Sequence, residues 1–245
     1  MENQIILCGQ TCERPEMTRI TQPAARKGSQ KWIQKLVNEK PEVLNSHIRM
    51  KLNLSDNETI KWLSPLKNDG YAEYRDGDFL ERLGVKLEKV PLSQFWPKRG
   101  PQWDALGKSS SGKLFLVEAK SHIPELISTL RAKDDNSEAR IQKSLEETKG
   151  YLNSKSEFDW SKCLYQYTNR LAHLYLFRKN ELPAYLILVY FINDLEMKGP
   201  TTVHEWNGAI RLLHSCLGIG RHKLTRYIGE VFVDVNQLLQ DRAID

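Results

Sequence analysis

At 245 residues, with 27% charged and 40% apolar side chains, the chain has the composition of a folded globular protein and not of a disordered one. A formal net charge of +5 suits a polyanionic partner, because basic groups attract phosphates and displace condensed counterions, although many proteins without that role are as basic. The longest apolar run, Ala184 to Ile192, is strand-sized, which excludes a helical membrane span as an expectation.

In chain order, Met1 to Gln10 has neither a basic leader nor a long apolar stretch, so no secretory signal is expected. Cys8, Cys12, Cys163 and Cys216 fit no zinc-ribbon or CxxC spacing. A Cys8–Cys12 metal pair stays open beside the simpler reading of free thiols in a reducing cytoplasm. Gly28 to Leu52 reads as helical, with Trp32, Ile33, Leu36 and Val37 at spacings of three and four and Pro41 as an interruption. Glu58 to Leu66 and Tyr71 to Leu83 read as further helices, the second closed by Gly84. The segments before Tyr71 suggest a helical N-terminal extension over residues 1–70, followed by an α/β core over 71–245 that forms one compact unit.

Val85 to Val90, Gln102 to Leu106 and Leu114 to Lys120 read as strands. Gly107 to Lys113, polar and with glycine near both ends, reads as the turn of an antiparallel hairpin. Helices are expected at Pro124 to Ala132, Glu138 to Leu152, Ser161 to Arg178 and Val203 to Leu217. Strands are expected at Tyr185 to Ile192 and Tyr227 to Val235. The order implies an α/β fold with a central mixed β-sheet flanked by helices on both faces.

The hairpin carries the chemistry. Side chains alternate along a strand, so Leu114, Leu116, Glu118 and Lys120 share one face while Phe115, Val117 and Ala119 share the other. Both faces are apolar, as in a covered central strand, until one switches to Glu118 and Lys120. A carboxylate at a buried strand end is costly unless it is paired or binds a metal. Asp104, on the preceding strand, can return beside Glu118. Two clustered carboxylates make a hard oxygen site for Mg²⁺ or Mn²⁺, and a cation there would polarise a phosphoryl oxygen. On its own a Glu-x-Lys triplet is commonly an exposed ion pair. Here the apolar strand, the hairpin and the aspartate argue otherwise.

The run Phe95-Trp-Pro-Lys-Arg-Gly-Pro-Gln-Trp-Asp104-Ala-Leu, the Ser/Gly turn and Leu114-Phe-Leu-Val-Glu118-Ala-Lys120 resemble the PD-(D/E)xK nuclease superfamily, which includes restriction endonucleases. Trp103 stands where that pattern usually has proline. The resemblance is sharp over Tyr71 to Lys120 and architectural beyond. It implies a restriction-endonuclease-like core and a nuclease acting on nucleic acid, with DNA as substrate, Mg²⁺ or Mn²⁺ as cofactor and a homodimer as one compatible assembly. It further implies Asp104, Glu118 and the Ala119 carbonyl as metal ligands, and Lys120 as the residue that positions water.

Such enzymes often add an acid before the first strand. Glu73 is the candidate, with Asp76 and Glu81 as rivals, although Asp78-x-x-Glu81 reads as a helix cap. Gln166, Asn169, Arg170 and His173 form one stripe of the Ser161 to Arg178 helix, and Gln166 is the candidate for contact with water or phosphate. That stripe also has a bland reading, as a solvated face or a histidine satisfied in the core. His122 and Glu125, just beyond Lys120, can extend the site, beside the blander reading of Ser121 or His122 as a strand exit and Glu125 as the acid of a helix start. Lys98, Arg99, Lys108 and Lys113, and separately Arg221, His222, Lys223 and Arg226, are candidate backbone contacts or ordinary surface charge. Trp96 and Trp103 read as core. Two rival functions remain: a binding module that keeps the fold without turnover, and a metal-dependent enzyme on mononucleotides.

Overall fold

The computed structural model describes residues 19–240. Cys8 and Cys12 therefore lie outside the described residues. The chain enters with β1 (Arg19–Ile20), then α1 (Gly28–Asn38) and α2 (Pro41–Leu52). The expected break at Pro41 becomes a start, because its fixed φ and missing N–H suit the first turn of a helix. There follow β2 (Ile60–Ser64), β3 (Glu73–Tyr74), α3 (Asp76–Leu83) and α4 (Leu92–Phe95). The hairpin is β4 (Ala105–Ser109) and β5 (Leu114–Lys120). The second half contributes α5 (Asp135–Leu152), α6 (Tyr165–Lys179), β6 (Ala184–Ile192), α7 (Val203–Leu217), β7 (Ile228–Asp234) and α8 (Asn236–Leu239).

Five strands form one mixed sheet in the order β2-β4-β5-β6-β7. β2, β4 and β5 are antiparallel neighbours, and β5, β6 and β7 run parallel. Helices flank both faces, each with its own apolar core. Phe115, Val117 and Ala119 of β5 pack with Trp32 and Leu36 of α1 and Leu44 of α2. Leu114 and Leu116 pack on the opposite side with Leu171 and Leu174 of α6 and Trp206 of α7. The alternation expected for β5 is thus the alternation found. Among the described residues no helix is long and apolar enough to cross a membrane.

Several expectations need correction. Glu58 to Leu66 holds an edge strand, not a helix. Trp62 and Ser64 turn inward at a period of two, and Trp62 lies opposite Gly107, where an added Cβ would meet its ring at 2.9 Å. Of residues 19–70, α1 and α2 lie over one face of the sheet and β2 joins its edge. Among the described residues Val85 to Val90 pairs with no strand; the Asn180 side chain takes its backbone groups, accepting from Lys89 N at 2.8 Å and donating to Val90 O at 3.1 Å. The strand read at Gln102 to Leu106 begins only at Ala105, because Trp103 bridges to Tyr74 instead. Pro124 to Ala132 forms only a short 3₁₀ turn, Ile123–Leu126. Helix α3 starts at Asp76, so Asp78 does not cap it.

Candidate active site

The register of the hairpin decides where the acids meet. Ala105 pairs with Val117 and Leu106 with Leu116 across β4 and β5. The paired register stops there; Asp104, the next residue, comes close enough to Glu118, on the α6 face of β5, for the two charges to repel. Lys120, two residues on, shares that face. Glu118 and Lys120 are only 4% and 8% exposed.

Past Ala105 the ladder opens. Trp103 N donates to Tyr74 O at 3.2 Å instead of continuing along β5. Ala119 N donates instead to Asp104 Oδ2 at 2.7 Å. A strand residue presents its N–H and C=O on the same edge, so the Ala119 carbonyl also faces the Asp104 side and is not met by the Trp103 N–H.

Glu118 is gripped from two directions. Lys120 Nζ donates to Oε1, and Arg170 Nε of α6 donates to Oε2 at 2.6 Å. The same guanidinium donates through Nη2 to Gln102 O at 2.7 Å and lies 4.8 Å from the Trp103 ring centroid. Arg170 thereby ties α6 both to β5 and to the segment that carries Asp104. Burial works against a charge on Glu118, but Arg170 and Lys120 outweigh it and hold its pKa below the ordinary value. For Lys120, burial alone would favour the neutral amine; attraction to Glu118 and Asp104 prevails and raises its pKa. Asp104 goes the other way. Burial, then repulsion from Glu118, push its pKa well above the usual carboxylate range, with Glu73 adding to the repulsion.

Glu73 sits on β3 and not on a helix, because Glu73–Tyr74 pairs with Arg19–Ile20. It is buried and receives side-chain amides from Gln102, from Gln30 at 3.3 Å and from Gln22 at 3.4 Å. Burial, with Glu118 nearby, raises its pKa despite those donors. Its rivals serve elsewhere: Asp76 accepts from Arg99 N at 3.0 Å and Gly100 N at 2.8 Å, and Glu81 is exposed.

Glu118, Lys120, Glu125, Gln166, Tyr167 and Arg170 line a cavity of about 20 Å³, the space of a single water. Gln166 is thus brought to the site, half-buried. His173 is not. It is 1% exposed, donates from Nδ1 to Asn169 O at 2.8 Å, packs 4.8 Å from the Trp96 ring, and burial lowers its pKa to about 3. Trp96 and Trp103 are core, as expected. Lys108 and Lys113 lie at the turn end of the hairpin, four or more residues from Glu118 and so roughly 13 Å away along the strand.

Sequence reasoning underrated Arg170, Gln102 and Glu125. The available signal was an arginine inside a helix whose every residue from Tyr167 to Phe177 is buried: a buried guanidinium requires an acid.

Among the described residues, no group of three or more His, Cys, Asp or Glu side chains is placed to hold a metal ion. A donor set of two carboxylates, Asp104 and Glu118, with the Ala119 carbonyl between them still fits a hard divalent cation chemically. The acids outnumber their cationic partners there, and the Asp104 carboxylate is poorly neutralised as it stands. Comparisons of the chain with protein-family models, with curated proteins and with solved structures find no match.

Proposed function

We propose that this chain is a divalent-metal-dependent nuclease of the restriction-endonuclease-like type, hydrolysing phosphodiester bonds in DNA. The observation that carries the reading is Asp104, held by Ala119 N at the open end of the hairpin, beside Glu118 and Lys120 on one buried face of β5. Asp104, Glu118 and the Ala119 carbonyl would hold Mg²⁺ or Mn²⁺. When bound, such an ion withdraws charge from a phosphoryl oxygen and makes water a usable nucleophile near neutral pH.

The protein groups do the rest. Lys120, kept charged by its acids, donates toward the attacking water and offsets negative charge as the phosphorane forms. Gln166 offers an amide at the cavity wall to orient that water. Arg170 keeps Glu118 and the Asp104 segment in register. The cavity accommodates a water and no nucleotide, so the polymer backbone would reach the acids from outside it. The net charge of +5 favours a polyanion. A homodimer would present two such centres to a duplex.

The test is cleavage of end-labelled single- and double-stranded DNA, RNA and mononucleotides with Mg²⁺ or Mn²⁺. Wild-type protein is expected to cut DNA, while Asp104→Ala and Lys120→Ala lose on the order of a hundredfold or more. Full activity in either variant removes the mechanism. One observation favours a second reading: both Glu118 oxygens already have cationic partners, Lys120 and Arg170. A binding module with a purely structural ion network would retain DNA without cutting it, and calorimetry would detect no Mn²⁺ uptake.

A further inference from the structure

We infer that Glu125 is a positioning residue for Lys120, holding the exit of β5 so that the Lys120 ammonium meets the reaction centre; this rests on the reading of the site proposed above. The parallel ladder to β6 ends with the pair Lys120 and Tyr190. Beyond that point backbone pairing no longer fixes Lys120, and the peptide of Ser121 must do so. Glu125, on the 3₁₀ turn that follows, reaches back to it. Its Oε1 accepts from Ser121 N at 3.1 Å and Ser121 Oγ at 3.0 Å, and also from His122 Nδ1. Its Oε2 accepts from Ser29 Oγ at 3.0 Å.

On its other side the Ser121 peptide is pressed against Gly199, where an added Cβ would fall 2.2 Å from Ser121 O. Ser121 is fully buried. The strand exit is therefore clamped between a carboxylate and a backbone that tolerates no side chain. Glu125 also lines the same cavity as Glu118 and Lys120, so it faces the site while it fastens the exit. Ser29 lies in the first turn of α1, so the N-terminal helix braces the site through this acid.

A local cap with no further role would leave turnover unchanged, whereas a positioning role moves kcat and spares binding. Glu125→Ala is expected to lower kcat ten- to a hundredfold, the order of loss for a misplacement of about 1 Å. KM should stay within about threefold, since uniform binding is not removed. Amide hydrogen exchange should quicken at Ser121 and His122 in the same variant, with or without metal and substrate. Glu125→Gln keeps an acceptor oxygen for Ser121 and should restore most of kcat and the slow exchange.

Wild-type kcat in Glu125→Ala overturns the inference. So does a Glu125→Gln protein as slow as Glu125→Ala, because charge and not held geometry would then be required. Ser29→Ala is a milder probe should Glu125→Ala not fold, and is expected to lower kcat about threefold or more by loosening the same carboxylate; unchanged kcat there also overturns it. If wild type cuts DNA and Lys120→Ala does not, while Glu125→Ala remains fully active, only this inference fails. A folded wild type that cuts nothing removes the site reading and this inference together.

Discussion

The two ends of β5 both carry a buried glutamate bound to a lysine, yet they are built on opposite terms. At the turn end, Lys113 donates to both oxygens of Glu58 at 2.9 Å, and Ser111 Oγ donates to the first of them. Burial opposes the charge there, but Ser109, Ser111 and Lys113 overcome it and lower the Glu58 pKa to about 2. One acid meets a full set of donors, and no like charge stands among the leading influences on it. At the exit end, Glu73, Asp104 and Glu118 share Lys120 and Arg170 as cationic partners among the described residues, and burial, with mutual repulsion added, raises the pKa values of Asp104 and Glu73. An arrangement selected for stability alone resembles the first. Surplus buried negative charge is what a site for a cation requires.

Asp104→Asn should separate the two ends most sharply. Asparagine keeps an acceptor for the Ala119 N–H but carries no charge to repel Glu118 and Glu73. DNA cleavage should fall on the order of a thousandfold. The metal-free protein should nonetheless become more stable, by roughly 1 kcal/mol in urea unfolding, because a carboxylate with a raised pKa opposes folding when ionised. A variant that is inactive and also less stable would mean that the acids at the exit end stabilise the fold as Glu58 does.

Arg170→Ala is the second probe. It strips Glu118 of one cation and leaves Gln102 O without its donor. Breaking a buried pair from one side costs about 3–5 kcal/mol, so the denaturant midpoint should drop by more than for any change at the turn end. A loss below about 1 kcal/mol would show that water replaces the guanidinium, and that this end is more open than the 4% exposure of Glu118 implies.

How much of this was legible beforehand differs between the ends for physical reasons. β5 was readable to the residue, because a covered strand is apolar on both faces and its acid stands out against them. α7 was equally clear, and Thr202 and Glu205 close a capping box at its start. β2 was misread because a short run such as Ile60 to Ser64 fits a helix or a strand until a partner is known, and its partner β4 lies some forty residues on. Glu73 was assigned to a helix for the same reason: the pairing that makes it extended comes from Arg19 and Ile20. Arg170 stood in a recognised polar stripe, but whether a stripe faces solvent or a buried acid depends on packing against both sheet and helices, which periodicity does not encode.

The smallest effect belongs to the turn end and is the control on the whole contrast. Glu58→Gln removes the charge that Lys113 meets but retains acceptor capacity, so the cost at neutral pH should be about 1 kcal/mol, discounted for solvent screening of a pair whose lysine side chain is 26% exposed. DNA cleavage should be unaffected. The pH dependence fixes the interpretation. A carboxylate of ordinary pKa 4.5 when unfolded and about 2 when folded contributes its stability above pH 4.5 and loses it as pH falls toward 2. The difference between wild type and Glu58→Gln should therefore be constant from pH 7 to about 5, then shrink through that window and vanish near its lower limit. A difference that persists to pH 2 would assign the effect to packing of the longer contact network and not to the ion pair. The turn end would then no longer be the charge-balanced counterpart to the site.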